Sequence, residues 1–301
     1  MSNPIKLFRS GFVAIIGRPN VGKSTLINAF VGAKVSIVTP VSQTTRNRIL
    51  GIVHRPDAQV VFMDTPGIHR PLCRLNEQMM TFVREALEER DLALMMADAS
   101  VPFGKGDEFT LQLLAEYSPR TILLLNKIDR IRKTALLPLI DRYSKLHSFE
   151  EIFPISALKG MGLQEVLDAV IARLPEGPPY FPPEVYTDQP ERFLSSEIIR
   201  ESVIRNTRQE LPYVSAVLID GFEESQTLTR IQATILVEKE SQRPIIIGEG
   251  GGRIRQIGSE ARRELEQVFP PQVFLQLFVR VEPHWRDDNA IVAALDYRSG
   301  S

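Results

Sequence analysis

Residues 17–24 read Gly17-Arg18-Pro19-Asn20-Val21-Gly22-Lys23-Ser24, between the apolar run Phe12, Val13, Ala14, Ile15, Ile16 and the stretch Thr25, Leu26, Ile27, Asn28, Ala29, Phe30. An apolar strand, a glycine-bearing turn and the start of a helix make the setting that a phosphate-binding loop requires. Gly17 and Gly22 let the backbone curl until its N–H groups point inward at an anion. Lys23 has the reach for β- and γ-phosphates, and the Ser24 hydroxyl suits Mg²⁺. Thr25 lies in the first turn of the following helix, whose positive dipole end favours the same anion. The plain alternative, an ordinary glycine turn before a helix, does not account for the lysine and the hydroxyl placed together after it.

Beyond the first helix, Val35 to Asn47 has no sustained period and contains Pro40, Ser42, Gln43, Thr44 and Thr45, so it reads as a loop. Placed between a phosphate loop and the next strands, it can close over a nucleotide, with the Thr45 hydroxyl on Mg²⁺ and Thr44 in reserve. Ile49–Val53 and Gln59–Met63 read as short strands around the turn-forming Pro56 and Asp57. The second ends in Asp64, Thr65, Pro66, Gly67, Ile68. A carboxylate at a strand's end, after a phosphate loop, fits the second group on the Mg²⁺ side. Gly67 offers a flexible backbone N–H to a γ-phosphate. Taken alone, Asp-Thr-Pro-Gly is also a common turn.

Further on, apolar Thr121–Leu125 runs into Asn126, Lys127, Ile128, Asp129. Two acceptor oxygens on Asp129 match the N1–H and N2 amino donors of guanine, a donor pair that adenine lacks. This argues for GTP over ATP and against a small-molecule kinase, with Asn126 and Lys127 shaping the pocket around the base. After one more strand come Ser156 and Ala157, and the Ala157 N–H is the expected donor to guanine O6. Strands alternating with helices imply a mostly parallel sheet covered on both faces, an α/β P-loop NTPase G domain. Every motif follows a strand, so the motifs gather at the strands' carboxyl ends.

The length of 301 residues allows two domains, and 43% apolar with 24% charged residues is the make-up of a globular chain. A net charge of -1 excludes a generally polycationic nucleic-acid binder, so any such role needs a local patch. The single cysteine, Cys73, cannot pair internally, which suits a reducing cytosol. Lys6 and Arg9 precede an apolar run, but that run enters the phosphate loop and not a cleavage site, so it is not read as a signal peptide. No apolar run approaches the roughly 20 residues of a membrane span. A cytoplasmic protein is expected; peripheral contact with the inner membrane surface stays open.

Prolines at 175, 178, 179, 182, 183 and 190 mark the clearest boundary in the chain and read as an extended connector. The expected division is a G domain over 1–178, a proline-rich linker over 179–191 and a second domain over 192–301. There, Phe193, Leu194, Ile198, Ile199, Val203 and Ile204 share one helical face, closed by Pro212. Tyr213–Ile219 and Ile231–Val237 read as strands. Ile254, Ile257, Ala261, Leu265 and Val268 repeat at helical spacing, and Val273, Leu275, Leu277, Val279 and Val281 alternate as a strand. Before that last helix stands Gly248, Glu249, Gly250, Gly251. The order matches an α+β KH module of type II, whose Gly-x-x-Gly loop clamps the backbone of single-stranded nucleic acid. Arg253 and Arg255 add charge beside it, while Glu249 sits where a lysine is expected. A flexible glycine turn is the plain alternative, and affinity cannot rest on bulk charge.

With both halves read, the sequence resembles the bacterial Era GTPases of the TrmE-Era-EngA-like class over nearly its whole length. The residues that carry this are GRPNVGKST at 17–25, QTTR at 43–46, DTPG at 64–67, NKID at 126–129, SALKG at 156–160, the run Ser196–Arg200, and Ile246, Ile247, Gly248 with Gly251. The resemblance implies a Mg²⁺-dependent GTPase, binding GTP and GDP, that acts in assembly of the small (30S) ribosomal subunit and binds 16S rRNA near its 3′ end; a monomer is expected. It implies catalytic roles for Lys23, Thr45, Gly67 and Asn20, the last where related enzymes hold K⁺. Two departures stand out. Ile68 occupies the place where Ras-like enzymes keep a water-orienting glutamine, a place where Era and its relatives also have an apolar residue, and Gly250 replaces a basic residue common in the glycine loop. The competing reading is a G domain controlling a protein or membrane partner, with a protein-interaction module behind it.

Overall fold

The computed structural model describes residues 7–42, 44–68, 71–117, 120–269 and 272–297. Among them the chain divides into two compact units, one holding residues up to 36, 42–71 and 78–188, the other 37–41, 72–77 and 189 onward.

The first half runs β1 (Arg9–Ile16), α1 (Lys23–Val31), β2 (Ile49–Arg55), β3 (Ala58–Asp64), α2 (Arg74–Glu89), β4 (Leu92–Asp98), α3 (Lys105–Tyr117), β5 (Thr121–Asn126), α4 (Leu136–Leu146), β6 (Glu151–Pro154) and α5 (Leu163–Arg173). Six strands form one sheet in the order β2-β3-β1-β4-β5-β6, with β2 antiparallel to β3 and the rest parallel. All seven residues of β3 are buried, as are the first six of β4. Strands sealed on both faces read as apolar runs, which is why they were legible without alternation. Because the parallel strands share one direction, the segments after β1, β3, β5 and β6 emerge at the same edge.

The proline-rich segment expected as a connector over 179–191 packs, as far as residue 188, against this unit. Gln59, fully buried in β3, accepts from the Tyr180 and Phe181 N–H groups at 2.7 and 3.0 Å and donates to the Phe181 carbonyl at 2.7 Å. On edge strand β2, the Ile52 N–H donates to the Tyr186 carbonyl (2.9 Å) and the Leu50 N–H to Asp188 (3.2 Å). Proline in such a strap lacks an N–H that would need a partner, and the strap blunts an edge that would otherwise pair with other strands. The first unit thus runs to Asp188, inside the segment expected as a linker over 179–191.

The second half runs α6 (Glu191–Asn206), α7 (Leu211–Val214), β7 (Ala216–Glu224), β8 (Thr229–Val237), α8 (Arg243–Ile247), α9 (Gly252–Leu265), β9 (Val273–Val281) and α10 (Asn289–Ala294). Its sheet has the order β7-β8-β9, with β7 antiparallel and β9 parallel to β8. Ile198, Ile199 and Val203 of α6 and Ile257, Ala261 and Leu265 of α9 share a core with Ile231, Ala233 and Ile235 of β8. Trp285, fully buried, donates its ring N–H to the Val214 carbonyl at 2.8 Å.

Two expectations need correction here. Pro212 does not close α6, which ends at Asn206; it sits in the first turn of α7, where its missing N–H is harmless, and Tyr213 is helical. Nor is α6 one-faced. Ser195, Ser196, Glu197, Arg200, Glu201 and Ser202 are buried with the apolar set, and charge is matched within the helix by Arg200–Glu197 and Arg205–Glu201 at 2.6 Å.

Gln59→Ala strands three backbone groups of the strap at once. It should destabilise the first unit by about 2–4 kcal/mol, read as a lowered denaturant midpoint with an unchanged slope.

Candidate functional site

At the head of α1 the Lys23 side chain folds back over its own loop. Its Nζ donates to the carbonyls of Gly17 (3.0 Å) and Arg18 (3.4 Å), and the residue is only 6% exposed. Burial lowers its pKa to about 8, against the opposing pull of Asp64. The glycines are required sterically: with φ of 152° at Gly17 and 107° at Gly22, an added Cβ would lie 2.4 Å from the Met96 carbonyl oxygen and from Asn126 Nδ2 respectively.

Ser24 Oγ donates to Asp64 Oδ2 at 2.8 Å and lies 2.9 Å from Thr45 Oγ1. The loop of residues 35–47 thus brings Thr45, buried to 6% exposure, to Ser24, while Thr44 is partly exposed. Gln43 of the same stretch lies outside the described residues. Asp64 is fully buried, which raises its pKa against the pull of Lys23 and of the Ser24 and Ser36 hydroxyls, and its Oδ1 has no well-aligned hydrogen-bond partner. A stranded carboxylate oxygen beside two hydroxyls is an all-oxygen donor set, the kind that Mg²⁺ takes. Among the described residues no cluster of His, Cys, Asp and Glu offers another metal site.

Gly67 presses against the loop so closely that an added Cβ would be 2.7 Å from Pro19 Cα. Its neighbours in DTPGI serve the fold more than the site. Thr65 Oγ1 donates to the Ile15 carbonyl (2.7 Å), tying β3 to β1, and the Ile68 side chain is 1% exposed in the core while its N–H reaches the Gly17 carbonyl (3.2 Å). Arg18 likewise turns to Asp107 of α3, at 3.4 Å. The side chains of these three residues brace the loop and the sheet.

The base-reading motif is tied to the phosphate loop. Asn126 Nδ2 donates to the Val21 carbonyl (2.7 Å), and Lys127 Nζ donates to the Asn20 carbonyl (2.7 Å) and to Asp98 Oδ2 (2.6 Å). Asn20 and Lys127 both hold left-handed backbones, φ 62° and 66°. The exposed Asp129 accepts from Ser156 Oγ at 2.6 Å, the main reason its carboxyl lies below the usual range. The Ala157 N–H, expected to face guanine O6, donates to Asn126 Oδ1 at 2.9 Å. Sequence reasoning missed Asp98 and Asp107. The rule that selected Asp64, a carboxylate closing a parallel strand, also selects Asp98 at the end of β4.

In the second unit, Gly248 (φ 73°), Gly250 (φ 55°) and Gly251 (φ 76°) turn the chain between α8 and α9. A Cβ on Gly248 would meet Arg253 Cβ at 2.7 Å, so this glycine shapes the loop. Arg253 Nη1 donates to the Ile245 carbonyl, bracing α8; Glu249, Gly250 and Arg255 are exposed.

Comparison with known proteins agrees with both halves. A family described as 50S ribosome-binding GTPase matches residues 12–127, and the KH domain family matches residues 210–286. GTPase Era of Syntrophus aciditrophicus is 48% identical over 293 residues, 97% of this chain and 96% of the relative. That of Staphylococcus haemolyticus is 41% identical over 290 residues, 96% of this chain and 97% of the relative. The chain belongs to the GTPase Era family. A crystal structure of Era in complex with MgGDPNP and nucleotides 1506–1542 of 16S ribosomal RNA matches 96% of this chain and 99% of its own, with a TM-score of 0.93 and 41% identity. A point variant of Aquifex aeolicus Era bound to GDP·AlF4⁻ matches with the same TM-score, identity and coverage. This Era-family chain is therefore a GTPase with a GTP-binding G domain followed by a KH domain, and among its described residues no helix is long and apolar enough to cross a membrane.

The buried Lys23 makes a pH prediction. A polyphosphate prefers the protonated ammonium, and Lys23 in the free protein loses its proton near pH 8. Guanine-nucleotide affinity should be level below that pH and fall by up to tenfold per unit above it. Calorimetric titrations between pH 7 and 9.5 will show it, and Lys23→Arg, which stays charged, should flatten the slope even if it binds more weakly throughout.

Proposed function

We propose that this protein is a GTP-hydrolysing switch in assembly of the small (30S) ribosomal subunit, with the KH unit binding 16S rRNA near its 3′ end. The observation that carries this reading is one chain holding a closed nucleotide site and a Gly-x-x-Gly loop. Its likeness over 96% of its length is to Era bound to a guanine nucleotide and a 16S fragment. A cytoplasmic place of action follows from such a partner.

In the proposed mechanism Lys23 moves from its loop carbonyls to the β- and γ-phosphates, and backbone N–H groups between Gly17 and Ser24 cradle them. Ser24, Thr45 and Asp64 are the residues that hold Mg²⁺, which when bound neutralises charge developing on the phosphate oxygens. The Gly67 N–H meets the γ-phosphate. Ile68, sealed in the core, orients no water, so that task falls to backbone around Thr45 and Gly67. Asp129 accepts both guanine donors, with Ser156 fixing its carboxylate. In Asp129→Asn one acceptor becomes a donor, matching xanthine instead of guanine. We expect a loss of about 10⁴ for GTP and preference for XTP in competition binding; continued preference for GTP would remove the assignment.

In this reading Asn20, in the phosphate loop, holds K⁺ beside the β–γ bridge. Turnover should be faster in K⁺ than in Na⁺ and the difference lost in Asn20→Ala; equal rates in the two salts reject this role.

RNA recognition rests on the exposed tip of the glycine loop. An RNA titration at fixed salt tests the function as a whole: the GTP-analogue form should bind the 16S fragment more tightly than the GDP form, with a coupling of about 1–3 kcal/mol. Glu249→Lys, which removes a repelling charge without touching the shaped glycines, should tighten binding in both forms. No RNA selected from a ribosomal pool would sink the proposal in favour of a protein partner.

A further inference from the structure

Strand β9 alternates strictly. Leu275, Leu277, Val279 and Val281 pack against the core shared with α6 and α9, while Phe274, Gln276, Phe278 and Arg280 face outward. Both phenylalanines are 49% exposed. Burying such a side chain is worth about 1.5–3 kcal/mol, so a pair held open on one strand calls for a use. Neighbouring β8 presents Arg230 opposite Phe274, Gln232 opposite Gln276 and Thr234 opposite Phe278. The Arg230 guanidinium lies 5.5 Å from the centre of the Phe274 ring, and the Gln232 and Gln276 amides meet at 3.5 Å.

We propose that this outer face is a stacking platform for the bases of single-stranded RNA, on the side of the sheet opposite the helices that flank the glycine loop. The inference rests on the reading of this unit as RNA-binding and adds a second surface to it. Flat rings on a rigid strand, a planar guanidinium over one of them and amides between them supply stacking faces and edge-reading hydrogen bonds together. The spacing suits separate bases: four residues of strand set the rings about 13 Å apart, too far to share one. The outward residues of β8 and β9 include Arg230 and Arg280 and no carboxylate, but Glu223 of β7 stands in register with Arg230, so affinity on this face rests on stacking and not on net charge. Glu282, 3.4 Å from Arg280, follows the end of β9, and acidic Asp220 and Glu223 lie on β7, with Asp220 accepting from the Thr234 hydroxyl. A protein partner would favour a continuous apolar patch; here Gln276 and Gln232 interrupt it.

The test is anisotropy titration of the full chain, at fixed salt, with a labelled RNA of 16S nucleotides 1506–1542. Phe274→Ala with Phe278→Ala should weaken binding about tenfold or more while leaving GTP turnover and the thermal midpoint unchanged. The paired Phe→Leu variant, apolar without a ring, should lose as much, and the paired Phe→Tyr variant should bind like the parent. Parent-like affinity in the Ala or Leu pair overturns the platform, as does a parent that dimerises at micromolar concentration and an Ala pair that does not. If Glu249→Lys alters affinity and the Phe pairs do not, only the platform fails. If the parent binds no RNA at all, both readings fall.

Discussion

Two opposite charges kept out of water organise the first unit. Lys23 is 6% exposed and Asp64 not at all, and burial drives each toward its neutral form while the other resists. Isolated charges are expensive to bury, and neither has an ideal partner in the protein: the ammonium leans on two loop carbonyls and one carboxylate oxygen has none. In the proposed function a polyphosphate meets the lysine and a hard cation meets the carboxylate. The parallel sheet supplies the framework, since it brings the ends of β1 and β3 to one edge with no freedom to part.

At the same edge the segment after β5 is tied to the loop after β1. Asn126 and Lys127 belong to β5 and the turn after it, yet each donates to a carbonyl of the phosphate loop. Asp98, from β4, completes the tie by taking the Lys127 ammonium. Three strand ends are joined by hydrogen bonds that involve charged groups, the stronger kind. Ser24 makes a second tie, donating to the Asp64 carboxylate while its hydroxyl also meets that of Thr45. Both hydroxyls belong to the proposed Mg²⁺ set, so whatever occupies that site also sets how the loop carrying Thr45 is anchored.

The two sheets handle their exposed parts differently. In the first, edge strand β2 is closed by a strap of low donor content, fastened by Gln59, Tyr186 and Asp188. In the second, the outward face keeps two rings, two amides and two guanidinium groups in solvent. A protein that needed only stability would have no reason to leave those phenylalanines half open.

Composition and order alone determined the class of both halves. A strand-loop-helix around Lys23 and Ser24, a carboxylate ending a strand at Asp64, and Asn126 to Asp129 in sequence each state a local chemical need that only certain residue types meet. Glycine spacing and strict alternation did the same for residues 248–251 and 273–281. Which motif side chains are spent bracing the fold was decided by tertiary structure. Arg18, Thr65 and Ile68 lie inside the motifs but point at Asp107, the Ile15 carbonyl and the core. The proline-rich segment read as an extended connector because the partner that holds it, Gln59, is more than a hundred residues away. Local pattern reports what a residue can do; long-range packing, which pairs groups distant in sequence, decides what it is left free to do.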